Sequence, residues 1–188
     1  MSIWRRMRAP FDRLARDDSG IAAVEFAMIV PLMLVMFFGT IEISSGVAVD
    51  RKVTLVARTL SDLTSQSTQV TDLDLSNYLT TGQVIMTPYS TSPLQTTITE
   101  LYIDPGTLVA RVQWSKGSAA RAARSNVTIP TALQIAGTYL IMSEVSYLYT
   151  PTIGYMMAKS GITLSDKAYT RPRQTSCVLY NTANCTTL

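Results

Sequence analysis

The chain has 188 residues, a net charge of +3 and no histidine; beyond a basic leader and one apolar run, about 140 residues remain, enough for one domain with its own core. With no histidine and only two cysteines, a zinc site lacks ligands, and there is no G-x-S-x-G elbow, P-loop or recognisable carboxylate pair, so neither an enzyme nor a cofactor is expected. Lys116, Arg121 and Arg124 form only a small basic cluster outside the leader, so no nucleic-acid partner is expected.

In chain order, residues 1–20 form a leader carrying Arg5, Arg6, Arg8, Arg13 and Arg16. Gly20 to Ile41 is almost wholly apolar, and a helix of that length covers ~33 Å, matching a bilayer core of about 30 Å. We read residues 21–43 as a transmembrane helix in contact with lipid. The far flank carries only Arg51 and Lys52 nearby, so the positive-inside rule places the N-terminus in the cytoplasm and residues 44–188 outside. The run is longer than the 7–15 apolar residues of a usual signal peptide, although small residues at Ser44-Ser45-Gly46 leave cleavage there as a competing reading.

Two residues interrupt the run. Glu25 is an acid where acids cost about 2.5–3.5 kcal/mol at mid-span, which marks it as functional, although snorkelling to the interface is the alternative. Pro31 lacks the N–H that would bond the Ala27 carbonyl, so the helix can kink or locally melt there. Thr40, Ser44 and Ala48 make a small-x-x-x-small ladder suited to close helix contact.

Past the span, Val49, Val53, Val56, Leu60 and Leu63 recur at spacings of four and three, predicting that the helix continues and packs one apolar stripe on a sheet. Ser65 to Val70 is a polar break. Asp72 to Met86 reads as a second helix with Leu75, Tyr78 and Leu79 inward, ending near Gly82 or Pro88. After a loop at Thr87 to Pro93, a hairpin is expected: Thr96 to Ile103, a turn at Asp104-Pro105-Gly106, and Thr107 to Trp114. In its second strand Leu108, Ala110, Val112 and Trp114 should share a face. Gly117 to Ser125 reads as a mobile basic loop, and Ile129 to Gly137 as a short helix begun at Pro130. Thr138 to Tyr149 reads as a long strand with Tyr139, Ile141, Val145, Tyr147 and Tyr149 on one face and Glu144 on the other. Pro151 to Lys159 is a loop or short helix, and Ile162 to Arg171 the final strand, stopped by Pro172. Cys177 and Cys185 fall on the exported side, where a disulfide is favoured over two free thiols and would pin the tail. The expected fold class is α+β: a long N-terminal helix packed on one face of a three- or four-stranded antiparallel sheet.

The stretch GIAAVEFAMIVPLMLVMFFGTIEI, with Gly20, Glu25, Phe26, Pro31, Gly39 and Glu42, resembles the N-terminal signature of the TadE-like family, pseudopilins or minor pilins of the bacterial tight-adherence (Flp) pilus. Glu144-Val145-Ser146-Tyr147 with Tyr149 and Pro151 is similar to a second family block, and Tyr169-Thr170-Arg171-Pro172-Arg173 to its C-terminal strand. Major Flp pilins carry tyrosine where this chain has Phe26 and are far shorter, so the resemblance favours a minor component. It implies a pilin-like head in the periplasm, an inner-membrane location, and a role in pilus assembly and adhesion. It also implies cleavage between Gly20 and Ile21 by a prepilin peptidase, and a register role for Glu25, Phe26 and Pro31 among other Tad pilins and inner-membrane platform proteins. An uncleaved single-pass periplasmic scaffold of the same machinery is the alternative.

Overall fold

The structure is a computed structural model that describes residues 19–151, 161–181 and 185. The basic leader and most of the predicted loop or short helix at 151–159 therefore lie outside the described residues. Cα packing divides the chain into two units, Met1–Ile43 and Ser44–Leu188.

Helix α1 is Ser19–Ser65 and runs through Pro31 without interruption. A continuous helix bonds its backbone groups internally, as a bilayer core would require, except at the Ala27 carbonyl opposite Pro31. In the second unit Val49, Val53, Val56, Ala57 and Leu60 are completely buried, as the spacing predicts, whereas Leu63 is only half-buried. A run of hydroxyls ends the helix: Thr64 Oγ1 donates to the Leu60 carbonyl at 2.9 Å and Ser65 Oγ to that of Asp62 at 2.8 Å. Such back-bonding adds a second donor to carbonyls of the last turns, the Asp62 carbonyl also accepting from Gln66 N at 3.1 Å.

The polar break contains a two-residue strand, β1 (Gln69–Val70). Helix α2 (Asp72–Met86) follows with the expected bounds. A capping box starts it: Asp74 N donates to Thr71 Oγ1 at 3.2 Å and Thr71 N donates to the Asp74 carboxylate at 2.9 Å. Gly82 does not stop the helix. A Cβ there would lie 3.0 Å from Val56 Cγ1, so its missing side chain lets α2 approach α1 closely. Lys52 reaches across from α1 to the C-terminal end of α2, donating to the carbonyls of Ile85 at 2.7 Å and Thr87 at 2.9 Å.

The sheet is larger than expected: five strands in the order β4-β3-β2-β5-β6. They are β2 (Leu94–Ile103), β3 (Ala110–Gly117), β4 (Asn126–Val127), β5 (Tyr139–Tyr149) and β6 (Ile162–Thr170), with all neighbours antiparallel. Ile98, Ile141, Val145 and Tyr147 line the face covered by α1 and α2. Leu101, Ile103, Ala110, Val112, Leu140 and Met142 form a second cluster, covered by Val127, Ile129 and Leu133. Of the helix expected at Ile129–Gly137, only a 3-10 turn at Thr131–Leu133 forms.

Two expectations about the hairpin are corrected. Leu108 lies in the turn at φ 57°, not in the strand, and is exposed. Trp114 does not share a face with Val112. The register shifts between Glu100, opposite Trp114, and Leu101, opposite Val112, so Gln113 is an extra residue and the alternation reverses across it. Residues 117–125 are also not loose: Ser118 N donates to the Thr96 carbonyl at 2.9 Å, Ala119 N to Thr97 Oγ1 at 3.1 Å and Arg124 N to the Val112 carbonyl at 2.8 Å.

β6 is not the last strand. The tail returns as β7 (Leu179–Tyr180), parallel to β1. It crosses a buried acid. Glu100 is 2% exposed because its position, two residues from both Ile98 and Tyr102, puts it on the helix-covered face. Its carboxylate accepts from Val178 N at 2.6 Å, while Trp114 Nε1 donates to the Val178 carbonyl at 3.0 Å. Burial pushes the Glu100 carboxyl up to about 7, against the opposing pull of the Val178 and Trp114 hydrogen bonds.

A carboxyl whose folded-state pKa lies above its unfolded value of 4.5 contributes stability that is complete below pH 4.5 and is lost as pH rises through about 7. That shift corresponds to on the order of 3 kcal/mol. Glu100→Gln keeps the acceptor for Val178 and cannot ionise. Chemical unfolding of the full chain in detergent at a series of pH values should show the variant gaining on the wild type between pH 4.5 and 8. A constant difference would mean that Glu100 is not the titrating group.

Candidate functional site: the exposed apolar helix

The predicted processing and register residues, Gly20, Ile21, Glu25, Phe26 and Pro31, all lie on the first four turns of α1. Every one of them is exposed, Ile21 at 59% and Phe26 at 69%. Met28, Leu32, Val35 and Phe37 are likewise exposed, so large apolar side chains are presented around the helix rather than along one stripe. This helix is long and apolar enough to cross a membrane. A Cβ at Gly20 or Gly39 would meet nothing within 4 Å. Glu25, Leu32 and Gly39 recur every seven residues, and the drift of only ~20° per seven keeps them near one line. Gly39 therefore leaves room for a close approach on the line that carries the carboxylate. One turn before the end of this unit, Thr40 Oγ1 donates to the Met36 carbonyl at 2.8 Å, which hides its hydroxyl from an apolar surrounding.

The second motif block lies in the sheet. Val145 and Tyr147 are core residues, as expected for Tyr147, and the Tyr147 hydroxyl donates to the Ser90 carbonyl at 3.0 Å. Glu144 points to the other face and is clamped there. Arg121 donates two bonds to it at 2.9 Å each, and Lys167 Nζ lies 2.8 Å away. Burial acts to raise the Glu144 carboxyl, but the two cations outweigh it and hold it below its usual value. Lys116 is also engaged, at 2.7 Å from Asp72. Asp72 further accepts from the Tyr180 hydroxyl at 2.8 Å, and these bonds, Lys116 first, bring its carboxyl down to about 2.

Sequence reasoning missed the Glu100–Val178 contact and the Asp72 hub. The parity of Glu100 with Ile98 and Tyr102 was the available signal for the first. The second joins residues 108 apart and left no local trace. The two cysteines are brought together: Cys177 and Cys185 form a disulfide with Cα atoms 6.3 Å apart. Among the described residues, no group of three or more His, Cys, Asp or Glu side chains could hold a metal ion.

An apolar helix able to cross a bilayer, followed in the chain by an α+β head, defines the class: a protein compatible with single-pass membrane anchoring. More particularly, the family model described as TadE-like protein matches residues 20–60. The resemblance read from Gly20, Glu25, Phe26, Pro31, Gly39 and Glu42 therefore stands, and the Glu144–Pro151 and Tyr169–Arg173 blocks lie beyond the matched range. No curated protein and no solved structure matches this chain.

The disulfide closes a loop between residues eight apart in sequence, for which loop-closure entropy gives about 2–3 kcal/mol. Replacing both Cys177 and Cys185 by Ser should lower stability by that amount in urea unfolding. Adding reductant to the wild type should produce the same loss. Unchanged unfolding in both cases would show that the bridge adds nothing to the hold on the tail.

Proposed function

We propose that this chain is a membrane-anchored pseudopilin or minor pilin that takes part in assembly of a Tad (Flp) type IV pilus. A prepilin peptidase matures it by cutting between Gly20 and Ile21. The observation that carries this reading is the TadE-like match at residues 20–60, which contains the glycine, the glutamate five residues on, and the exposed apolar helix. The arginines of the leader support an N-terminus in the cytoplasm and a periplasmic head at the bacterial inner membrane. A glycine directly before the run suits an extended conformation in a protease groove.

After cleavage, Glu25 is the fifth residue of the mature chain, about 6 Å along the helix from the new amino terminus. Helices leaving lipid for an apolar bundle must not strand a carboxylate, because an unpaired buried charge is heavily penalised. Pairing Glu25 with an amino terminus, of its own or a neighbouring subunit, sets the register of the helices. Gly39, on the same line, supports close packing of a neighbour. The partners on this reading are the prepilin peptidase, other Tad pilins and pseudopilins, and inner-membrane platform proteins.

Mass spectrometry of the N-terminus, on protein purified from its native membrane with and without the peptidase, tests the reading. The expected result is a start at Ile21 that disappears in the peptidase-deficient strain. A start at Met1 or Ser2 in both strains would instead indicate the uncleaved scaffold, and a start near Gly46 a soluble exported domain. Glu25→Gln should impair pilus assembly while insertion and cleavage proceed; normal piliation in that strain would remove the register role.

A further inference from the structure

Within the head, α1 and β5 run in opposite directions. Ser61 Oγ donates to the Ile141 carbonyl at 3.3 Å, Ser143 donates to the Ala57 carbonyl, and a Cβ at Gly46 would lie 3.5 Å from the Tyr149 ring. The last residue of β5 is therefore held beside the first turn that α1 makes in the second unit, which begins at Ser44. Gly46 is three residues past Ile43, the last residue of the span, and three residues reach at most ~11 Å even when fully extended. The headgroup layer on one face of a bilayer is about 5–7 Å deep. Tyr149 is thus tied to the part of the chain that first leaves the hydrocarbon.

The side chains at this end of the sheet are apolar. Tyr149 is opposite Ile162, and Leu148 is opposite Thr163. Directly paired residues point to the same face, so Ile162 joins Tyr149 on the face toward α1 and Leu148 takes the other. Ile162 is 57% exposed and Leu148 46%. Leu148 is seated over Gly161, where a Cβ would come within 2.8 Å of its Cδ1. An aromatic ring with a polar tip, flanked by aliphatic side chains, suits the boundary between water and lipid. Charge agrees with this. Between Glu144 and Asp166 the sequence has no acid, so no carboxylate of this stretch has to be brought to the headgroups.

We infer that the end of the sheet carrying Leu148, Tyr149 and Ile162 rests in the headgroup layer of the bilayer that α1 crosses. The bilayer is the occupant because the chain itself delivers it: continuity with the span brings that layer to Gly46, and Gly46 holds Tyr149. The contact gives the head a second hold on the membrane and limits how far it swings about the start of its helix. The inference rests on the membrane reading of α1, so its test separates the two.

The full chain is placed in nanodiscs of phosphatidylethanolamine and phosphatidylglycerol, with Cys177 and Cys185 left bridged. Each variant, Leu32→Cys, Leu108→Cys or Ile162→Cys, carries one small fluorophore on the introduced thiol. Lipid with a nitroxide on its acyl chain should quench the label at 32, which reports that α1 is in the bilayer. Lipid with a nitroxide on its headgroup should quench the label at 162 severalfold more than that at 108, an exposed position in the turn at the other end of the sheet. Adding Leu148→Glu should remove most of the quenching at 162. Quenching at 32 with equally weak quenching at 162 and 108 would overturn the inference and leave the anchor intact, whereas no quenching at 32 would remove both. Quenching at 162 that survives Leu148→Glu would mean that the fluorophore rather than the sheet end seeks lipid, and the inference would fall. Shielding at 162 only in discs that hold two chains would replace it with a contact between copies.

Discussion

The head depends on covering one stripe of α1. Val49, Val53, Val56, Ala57 and Leu60 have no surface left, and they are covered by the sheet face carrying Ile98, Ile141, Val145 and Tyr147 together with α2. Each such aliphatic side chain contributes about 1.5–3 kcal/mol when fully buried. A helical repeat of 3.6 against a strand repeat of 2 cannot match at every contact. Where it fails, hydroxyls fill in. Ser143 donates its hydroxyl to the Ala57 carbonyl, and Ser61 Oγ donates to that of Ile141 at 3.3 Å. These are buried polar groups with partners on the facing element, so they fix the rotation of the helix on the sheet as well as filling it.

The same helix meets a different constraint before Ser44. There the apolar residues surround the axis, and no polar face exists to be turned to water. An amphipathic stretch and an all-round apolar stretch within one continuous helix call for two solvents, and that division is what the TadE-like match spans. A bilayer core would meet the first need; the sheet meets the second.

What could be read from the sequence was whatever repeats locally. The stripe of α1, the extent of α2 and the alternation of β5 all follow from periods of 3.6 or 2 sustained over many residues. The candidate processing motif was legible for a similar reason, since Gly20, Glu25 and Pro31 lie on one uninterrupted element. The rest required knowing partners. Gln113 is unremarkable in sequence, and it becomes a bulge only because β2 has one residue fewer across from it. β1 and β7 are two residues each, too short to carry a period, and exist through one another. The loop at 117–125 looked loose because the acceptors and carboxylate that hold it, on Thr96, Thr97, Val112 and Glu144, are supplied by strands before and after it. The buried Glu100 was visible in the parity of its strand, but its partner Val178 was not.

The return of the tail also sets an order of events during synthesis. Tyr180 meets Asp72 across 108 residues of chain, and Val178 is the residue that covers Glu100. Until residues 177–180 have been made, β1 has no strand to pair with, and Trp114 and Glu100 lack their bonds to Val178. Non-local pairings of this kind form slowly because chain ends must meet before contacts reward the closure. Arrival of this returning segment, rather than emergence of the sheet, is therefore the event that closes the head. A chain truncated even shortly before Cys177 contains the whole five-stranded sheet and still lacks its closing piece.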